Sequence, residues 1–160
     1  MSQVAEGVQF VNGAHDAGAS PAVDFFCADS LLTDEERAVR DRVRAFAAER
    51  LRPVAREAWE TATFPRQLLP ELAALDVVGG TISGHGCPGL SSVAFGVVLR
   101  ELSRVDSSFA TFVNVQSGLS MSAIAACGTE EQQARWLPRL ARCEALGAFA
   151  LTEPEHGSDV

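Results

Sequence analysis

Apolar residues recur along most of this chain at helical spacing, in runs separated by polar signals that start and stop helices. The first run opens at Thr33-Asp34-Glu35-Glu36. There a threonine hydroxyl can accept an early backbone N–H while a glutamate three residues on reaches back to the threonine N–H. Val39, Val43, Phe46, Ala47 and Leu51 then make one stripe, with arginines and acids on the other face. Pro53 is expected to kink or interrupt this helix before helical character resumes through Trp59. A second helix follows Phe64-Pro65, carries Leu68, Leu69, Leu72 and Leu75, and is predicted to end at Gly79-Gly80. The next stretch, GGTISGHGCPGLSS, has too many glycines for a helix and reads as a loop.

Ser91 or Ser92 can cap a third helix bearing Phe95, Val98, Leu99 and Leu102. Asp106-Ser107 restarts the chain into a fourth, apolar on most sides and therefore expected to be central. Gly128 ends it, and Thr129-Glu130-Glu131-Gln132 opens a fifth with a second capping box, followed by Trp136, Leu137 and Leu140 on one face. After Glu144 the pattern changes, because LGAFALTEP suits a buried strand better than a sixth helix. The predicted fold class is all-α: about five packed helices over residues 33–143, then one strand with nothing in the chain to pair with. Residues 1–29, rich in Gly, Ala, Ser and acid without a sustained period, read as a mobile tail in which Phe25-Phe26 is the feature suited to docking. The domain boundaries expected are therefore 1–29, 30–143 and 144–160.

Length and composition narrow the function classes. The chain has 160 residues, enough for one domain with a sizeable core, and a net charge of −8. All thirteen basic residues are arginine, and they do not cluster outside helical surroundings. Nucleic acid and anionic membrane are thus poor partners. Cys27, Cys87, Cys127 and Cys143 are scattered, with no C-x-x-C pair and no histidine at zinc-finger spacing, so they read as reduced thiols of a cytoplasmic protein and no metal ligand is assigned. The first basic residue is Arg37, which leaves the N-terminus without the charge of a secretory or transit signal. Phe109–Cys127 is apolar but carries Asn114, Gln116 and several serines, as a buried helix does more often than a membrane span. His85 and His156 have no partner at ligand spacing and read as loop histidines. GHGCPG lacks the lysine and hydroxyl residue of a P-loop, and Glu130-Glu131 reads as a solvated first helical turn.

From about Leu32 to Asp159 the sequence resembles the flavin-dependent acyl-CoA dehydrogenases and the related acyl-CoA oxidases. The sharpest match is ALTEPEHGSD, which is similar to the family's flavin-binding signature. GHGCPGLSS, RELSRVDSSFATF and VQSGL further resemble the branch that contains glutaryl-CoA dehydrogenases and short-chain oxidases. Members of the family have an N-terminal helical domain, a middle β-domain and a C-terminal helical bundle. On that resemblance the chain is a fragment: the first domain plus the opening strand of a truncated second.

The resemblance implies FAD as cofactor and assigns it contacts from Phe149, Ala150, Leu151, Thr152, Gly157 and Ser158. A flavin presents carbonyl and ring-nitrogen acceptors, and backbone N–H groups with the Thr152 hydroxyl are suitable donors. Gly157 permits close backbone approach, and Ser158 is assigned to FAD or to acyl-CoA. The competing reading of the motif is a plain turn after an edge strand. The fourth helix is implied to floor the acyl pocket with Ala110, Thr111 and Asn114, although Asn114 read by itself is equally a satisfied amide inside a bundle. Glutaryl-CoA dehydrogenases carry an Arg-Ser pair where this chain has Ala110-Thr111, so a dicarboxylyl substrate is not expected. The family's reaction takes an α-proton with a glutamate and passes a β-hydride to flavin N5, giving a trans-2-enoyl-CoA from a short or medium acyl-CoA. That glutamate belongs to the C-terminal domain, so no catalytic residue is assigned here, and Glu153 is not promoted to that role. A homotetrameric parent and an electron-transfer flavoprotein acceptor are implied as well. The alternatives are an oxidase using O2 and a non-catalytic helical interaction module.

Overall fold

The computed structural model describes residues 28–159. Ala28–Leu31 form a short 3-10 turn, and the rest of the expected tail, with Phe25-Phe26, lies outside the described residues. From Leu32 onward the chain is a helical body, in agreement with the all-α expectation.

The first capping box forms as its spacing predicts. Thr33 Oγ1 accepts from the Glu36 N–H at 3.3 Å, and Glu36 Oε2 accepts from the Thr33 N–H at 3.0 Å. Helix α1 (Asp34–Phe46) follows and, instead of breaking at Pro53, widens into a π turn (Ala47–Leu51) that leads into α2 (Arg52–Glu60). The Arg52 N–H bonds to the Ala47 carbonyl, five residues back. The ladder is thus shifted by one residue just before the proline, whose ring then sits in the first turn of α2, where no N–H is needed. The interruption expected at Pro53 is a change of register.

A 3-10 turn (Arg66–Leu68) leads into α3 (Leu69–Ala74), which stops well before the predicted Gly79-Gly80. Asp76 takes a left-handed φ of 56° and its N–H bonds to the Ala73 carbonyl, so an aspartate closes the helix where glycine was expected. The loop that follows is tighter than its composition suggests. Strands β1 (Ser83–Gly84) and β2 (Cys87–Pro88) pair antiparallel, Ser83 opposite Pro88 and Gly84 opposite Cys87. His85 and Gly86 form the two-residue tip with φ of 50° and 75°, both positive as a hairpin turn of this length prefers.

Helix α4 (Ser92–Ser103) is capped by Ser91, whose Oγ accepts from the Ala94 N–H at 3.0 Å. Asp106 caps α5 (Ser107–Asn114). The single fourth helix of the sequence reading is three pieces on one path: α5, a second π segment (Val115–Met121) and α6 (Ser122–Cys127). The second capping box, at Thr129 and Gln132, starts α7 (Glu130–Ala141).

Helix α1 packs on α4, and α4 on α5. Phe109 lies at the centre, stacked on Phe64 with ring centroids 4.9 Å apart and tilted against Phe46 at 6.2 Å. Leu51, Leu72, Val98, Leu102, Met121 and Leu137 fill the space around it. One charge is buried in this body: Glu101 of α4, 2% exposed. Arg44 of α1 grips it with two hydrogen bonds of 3.0 and 3.1 Å, and Arg100 and Arg104 approach from its own helix at 2.9 and 3.3 Å. Burial alone would push the Glu101 carboxyl up, but the bonds from Arg44 and Arg100 and the charges of Arg44 and Arg104 outweigh it and hold it below the usual range.

The strand expected after Glu144 does not form. Residues 146–153 are neither helix nor strand, and the hairpin at 83–88 is the sheet found among the described residues. A strand exists through its ladder, and no partner is available to LGAFALTEP there.

Candidate functional site

The π segment Val115–Met121 gathers three parts of the chain. On one side the Ser117 hydroxyl accepts the Gly79 N–H at 3.0 Å, fastening the start of the glycine loop. A Cβ on Gly79 would fall 2.9 Å from Cys87 Sγ and 3.1 Å from Met121 Cε, so the loop reaches the helix this closely because residue 79 has no side chain. On the other side Gln116, 1% exposed, turns its amide to the chain that leaves α7. Its Nε2 donates to the carbonyls of Leu140 and Ala145, both at 3.0 Å, and its Oε1 accepts the Gly147 N–H at 2.8 Å. Two carbonyls and one N–H settle which end of the amide carries oxygen. A wide π turn lets neighbouring residues serve both sides, and such turns recur at functional sites.

The C-terminal segment beyond this clamp is open. Gly147 presses on Ser120, where a Cβ would come within 2.5 Å of Ser120 Cβ, and the buried Ser120 hydroxyl has no hydrogen-bond partner among the described residues. A groove of about 330 Å3 runs between α6, α7 and the segment, bordered by Ser120, Ile124, Trp136, Leu146 and Phe149. Phe149 and Leu151 are 45% and 52% exposed. Among the described residues no backbone hydrogen bond within the protein involves 148–152. Further on the chain closes on itself: Glu153 and His156 exchange backbone bonds of 3.1 and 3.3 Å, and Asp159 accepts from the Gly157 N–H at 3.2 Å. His156 Nδ1 lies 3.2 Å from the Asp159 carboxylate, and this contact, with the Asp159 and Gly157 backbone N–H groups, holds that carboxyl below its usual range.

The residues assigned from sequence fall into two sets. Phe149, Ala150, Leu151, Thr152, Gly157 and Ser158 are all exposed on the open segment, and among the described residues nothing comes within 4 Å of a Cβ built on Gly157. Thr111 and Asn114 are exposed on α5, continuing into Gly118 and Leu119 of the π segment, while Ala110 is 6% exposed and belongs to the core cluster. The reading of Asn114 as a buried amide is corrected: it is exposed, and the buried amide of this path is Gln116. Sequence reasoning missed Gln116, although a glutamine in the middle of the most apolar helical path was a signal that a polar partner must be near.

His85 Nε2 stands 3.8 Å from Glu130 Oε1, too far for a hydrogen bond, and no group of three potential metal ligands occurs among the described residues. Burial pushes the Cys143 thiol up to about 11 and also raises Cys87, so neither is a thiolate nucleophile at neutral pH. No helix among the described residues is long and apolar enough to cross a membrane.

Comparison with known proteins gives this arrangement its setting. The model for the acyl-CoA dehydrogenase N-terminal domain matches residues 33–144. The short-chain-specific acyl-CoA dehydrogenase of Clostridium acetobutylicum is 34% identical over 132 residues, which are 82% of this chain and 35% of that protein. A crystal structure of a glutaryl-CoA dehydrogenase from Mycobacterium smegmatis, in complex with FADH2, superposes with a TM-score of 0.80 at 44% identity, covering 84% of this chain and 35% of the other. The butyryl-CoA dehydrogenase of Megasphaera elsdenii superposes with a TM-score of 0.73 at 27% identity, covering 80% and 34%. The chain thus spans about a third of the length of the proteins it matches. A domain model that accounts for most of the chain, and solved structures that repeat its helical body, lead to one conclusion: the chain belongs to the acyl-CoA dehydrogenase family and corresponds to its N-terminal domain.

Proposed function

We propose that this chain is the N-terminal third of an FAD-dependent acyl-CoA dehydrogenase that converts a short or medium acyl-CoA to the trans-2-enoyl-CoA. The observation that carries the reading is the backbone of 148–152, which is held at its base by Gln116 yet leaves its own hydrogen-bonding groups open. Buried polar groups find partners, and a run of free N–H donors beside exposed Phe149, Leu151 and Thr152 fits an apolar ring system edged with carbonyl and ring-nitrogen acceptors. Phe149, Ala150, Leu151 and Thr152 would hold that edge, Gly157 would allow close approach, and Ser158 would donate to FAD or to the acyl thioester. FAD, when bound, supplies the hydride acceptor. The base that takes the α-proton is a glutamate outside this chain, so these residues orient the reactants and shield them from water. The reading includes an electron-transfer flavoprotein as electron acceptor and a homotetramer as the assembled form.

The acyl end would meet Ala110, Thr111 and Asn114. From Ser107 to Met121 the path carries no charged residue, so a carboxylate-ended acyl group would find no cation on this helix. A methyl-ended chain is the better fit. Steady-state kinetics on the full-length flavoenzyme test this: kcat/KM for butyryl- or hexanoyl-CoA is expected to exceed that for glutaryl-CoA. A higher value for glutaryl-CoA would overturn the pocket assignment.

A further inference from the structure

Gln116 is more than a core amide. It stands two residues after Asn114 on the helical path proposed to face the acyl group, and its three hydrogen bonds run to chain 24 to 31 residues later. One of them goes to the Leu140 carbonyl in the last turn of α7, which the Cys143 N–H already reaches at 3.0 Å. The other two hold Ala145 and Gly147 on either side of Leu146. Gly147 is also pinned by contact, since a Cβ there would overlap Ser120. Phe149 is two residues further, roughly 7 Å of extended chain at most, so any freedom at Gly147 passes directly to the first residue of the open segment.

We propose that Gln116 is a positioning residue of the flavin site, fixing the register in which Phe149–Ser158 leaves the helical body and thereby coupling that segment to the helix that carries Thr111 and Asn114. The proposal rests on the flavin assignment above. A glutamine that only capped α7 would need the bond to Leu140. The bonds to Ala145 and Gly147 do nothing for the helix and serve the segment beyond it.

Two variants separate the possibilities. Gln116→Met removes all three bonds at similar volume, and Gln116→Asn keeps the amide but is one methylene too short to reach, so it also serves if the methionine variant does not fold. In the 160-residue chain, amide hydrogen exchange at Gly147 is expected to quicken on the order of tenfold or more in either variant, with Val98 and Leu102 unchanged. Unchanged protection at Gly147, or equal loss at all three amides, would overturn the positioning role. In the full-length flavoenzyme the same variants are expected to raise the FAD dissociation constant several-fold and to shift the flavin potential, with a smaller change in KM for acyl-CoA. FAD affinity and potential at wild-type values, with Gly147 loosened, would defeat the proposal while leaving the flavin site intact. A wild-type full-length protein that carries no flavin would instead overturn the flavin assignment, and the proposal with it.

Discussion

The helical body and the segment after Gly147 are built on opposite principles. In the body, buried polar groups other than the Ser120 hydroxyl are paired even where pairing is demanding: Glu101 is buried and held by three arginines, and Gln116 uses its amide three times. In the first part of the segment, residues 148–152, apolar side chains and backbone groups alike are left to solvent. An unpaired group is expensive only where water cannot reach it. The contrast therefore separates residues whose polar groups are used within this chain from residues whose groups are not, and the proposed flavin contacts are of the second kind.

The comparison breaks most visibly at the centre of the body. Phe109→Ala would empty the space between Phe46 and Phe64 and is expected to cost about 3–5 kcal/mol by chemical denaturation. A smaller loss would mean that the neighbouring rings close over the gap.

Glu101 tests the electrostatic half. Its carboxyl lies below the ordinary value near 4.5 in the fold, so ionisation favours the folded state. That stability is complete above the unfolded value and is lost as pH falls through the lower, folded one. Denaturation followed between neutral and acid pH should show an acid limb that flattens in Glu101→Gln, whose amide does not titrate. The substitution also weakens the grip of Arg44 and is expected to cost on the order of 1–3 kcal/mol at neutral pH. An acid limb identical in the two proteins would assign it to other carboxylates.

Two glycines sharpen the comparison most economically. Gly147→Ala forces a methyl group against Ser120 and is expected to destabilise the chain by about 1–3 kcal/mol. Gly157→Ala meets nothing within 4 Å and should change stability by less than about 0.5 kcal/mol. Equal effects on thermal unfolding would erase the distinction between the two regions.

What the sequence made legible was local. Thr33 with Glu36 and Thr129 with Gln132 announce their helices because a capping box is complete within four residues, and both formed. The stripe from Val39 to Leu51 gave the core face for the same reason. The two π turns were not legible, since a one-residue change of hydrogen-bond register leaves the apolar stripe nearly where an α-helix would put it. Asp76 was overlooked because the glycines three and four residues later are stronger stop signals, yet aspartate tolerates the left-handed conformation that ends α3. At the candidate site, the motif ALTEPEHGSD was readable, whereas the residue that grips the chain before it was not. Gln116 acts on residues far along the chain, and a partner at that distance leaves no spacing to read. The strand at LGAFALTEP failed on the same ground: its side chains suit a sheet, but a strand exists through its partner, and none pairs with it among the described residues.

The wide turn at Val115–Met121 makes chain length, as much as residue identity, the quantity that evolution must preserve there. A π turn takes one more residue per hydrogen-bonded turn than an α-helix, so deleting one residue there would let the path close to a plain α-helix, with α6 nearly in place but the residues inside the turn moved to other faces. Ser117 and Gln116 could both survive such a deletion and still lose Gly79 or Gly147. A substitution at either grip weakens one contact, whereas a single-codon deletion between them uncouples the glycine loop, α5 and the segment after Gly147 together. Length variation in relatives of this chain should accordingly collect in the hairpin at 83–88 and avoid the helical path beside it.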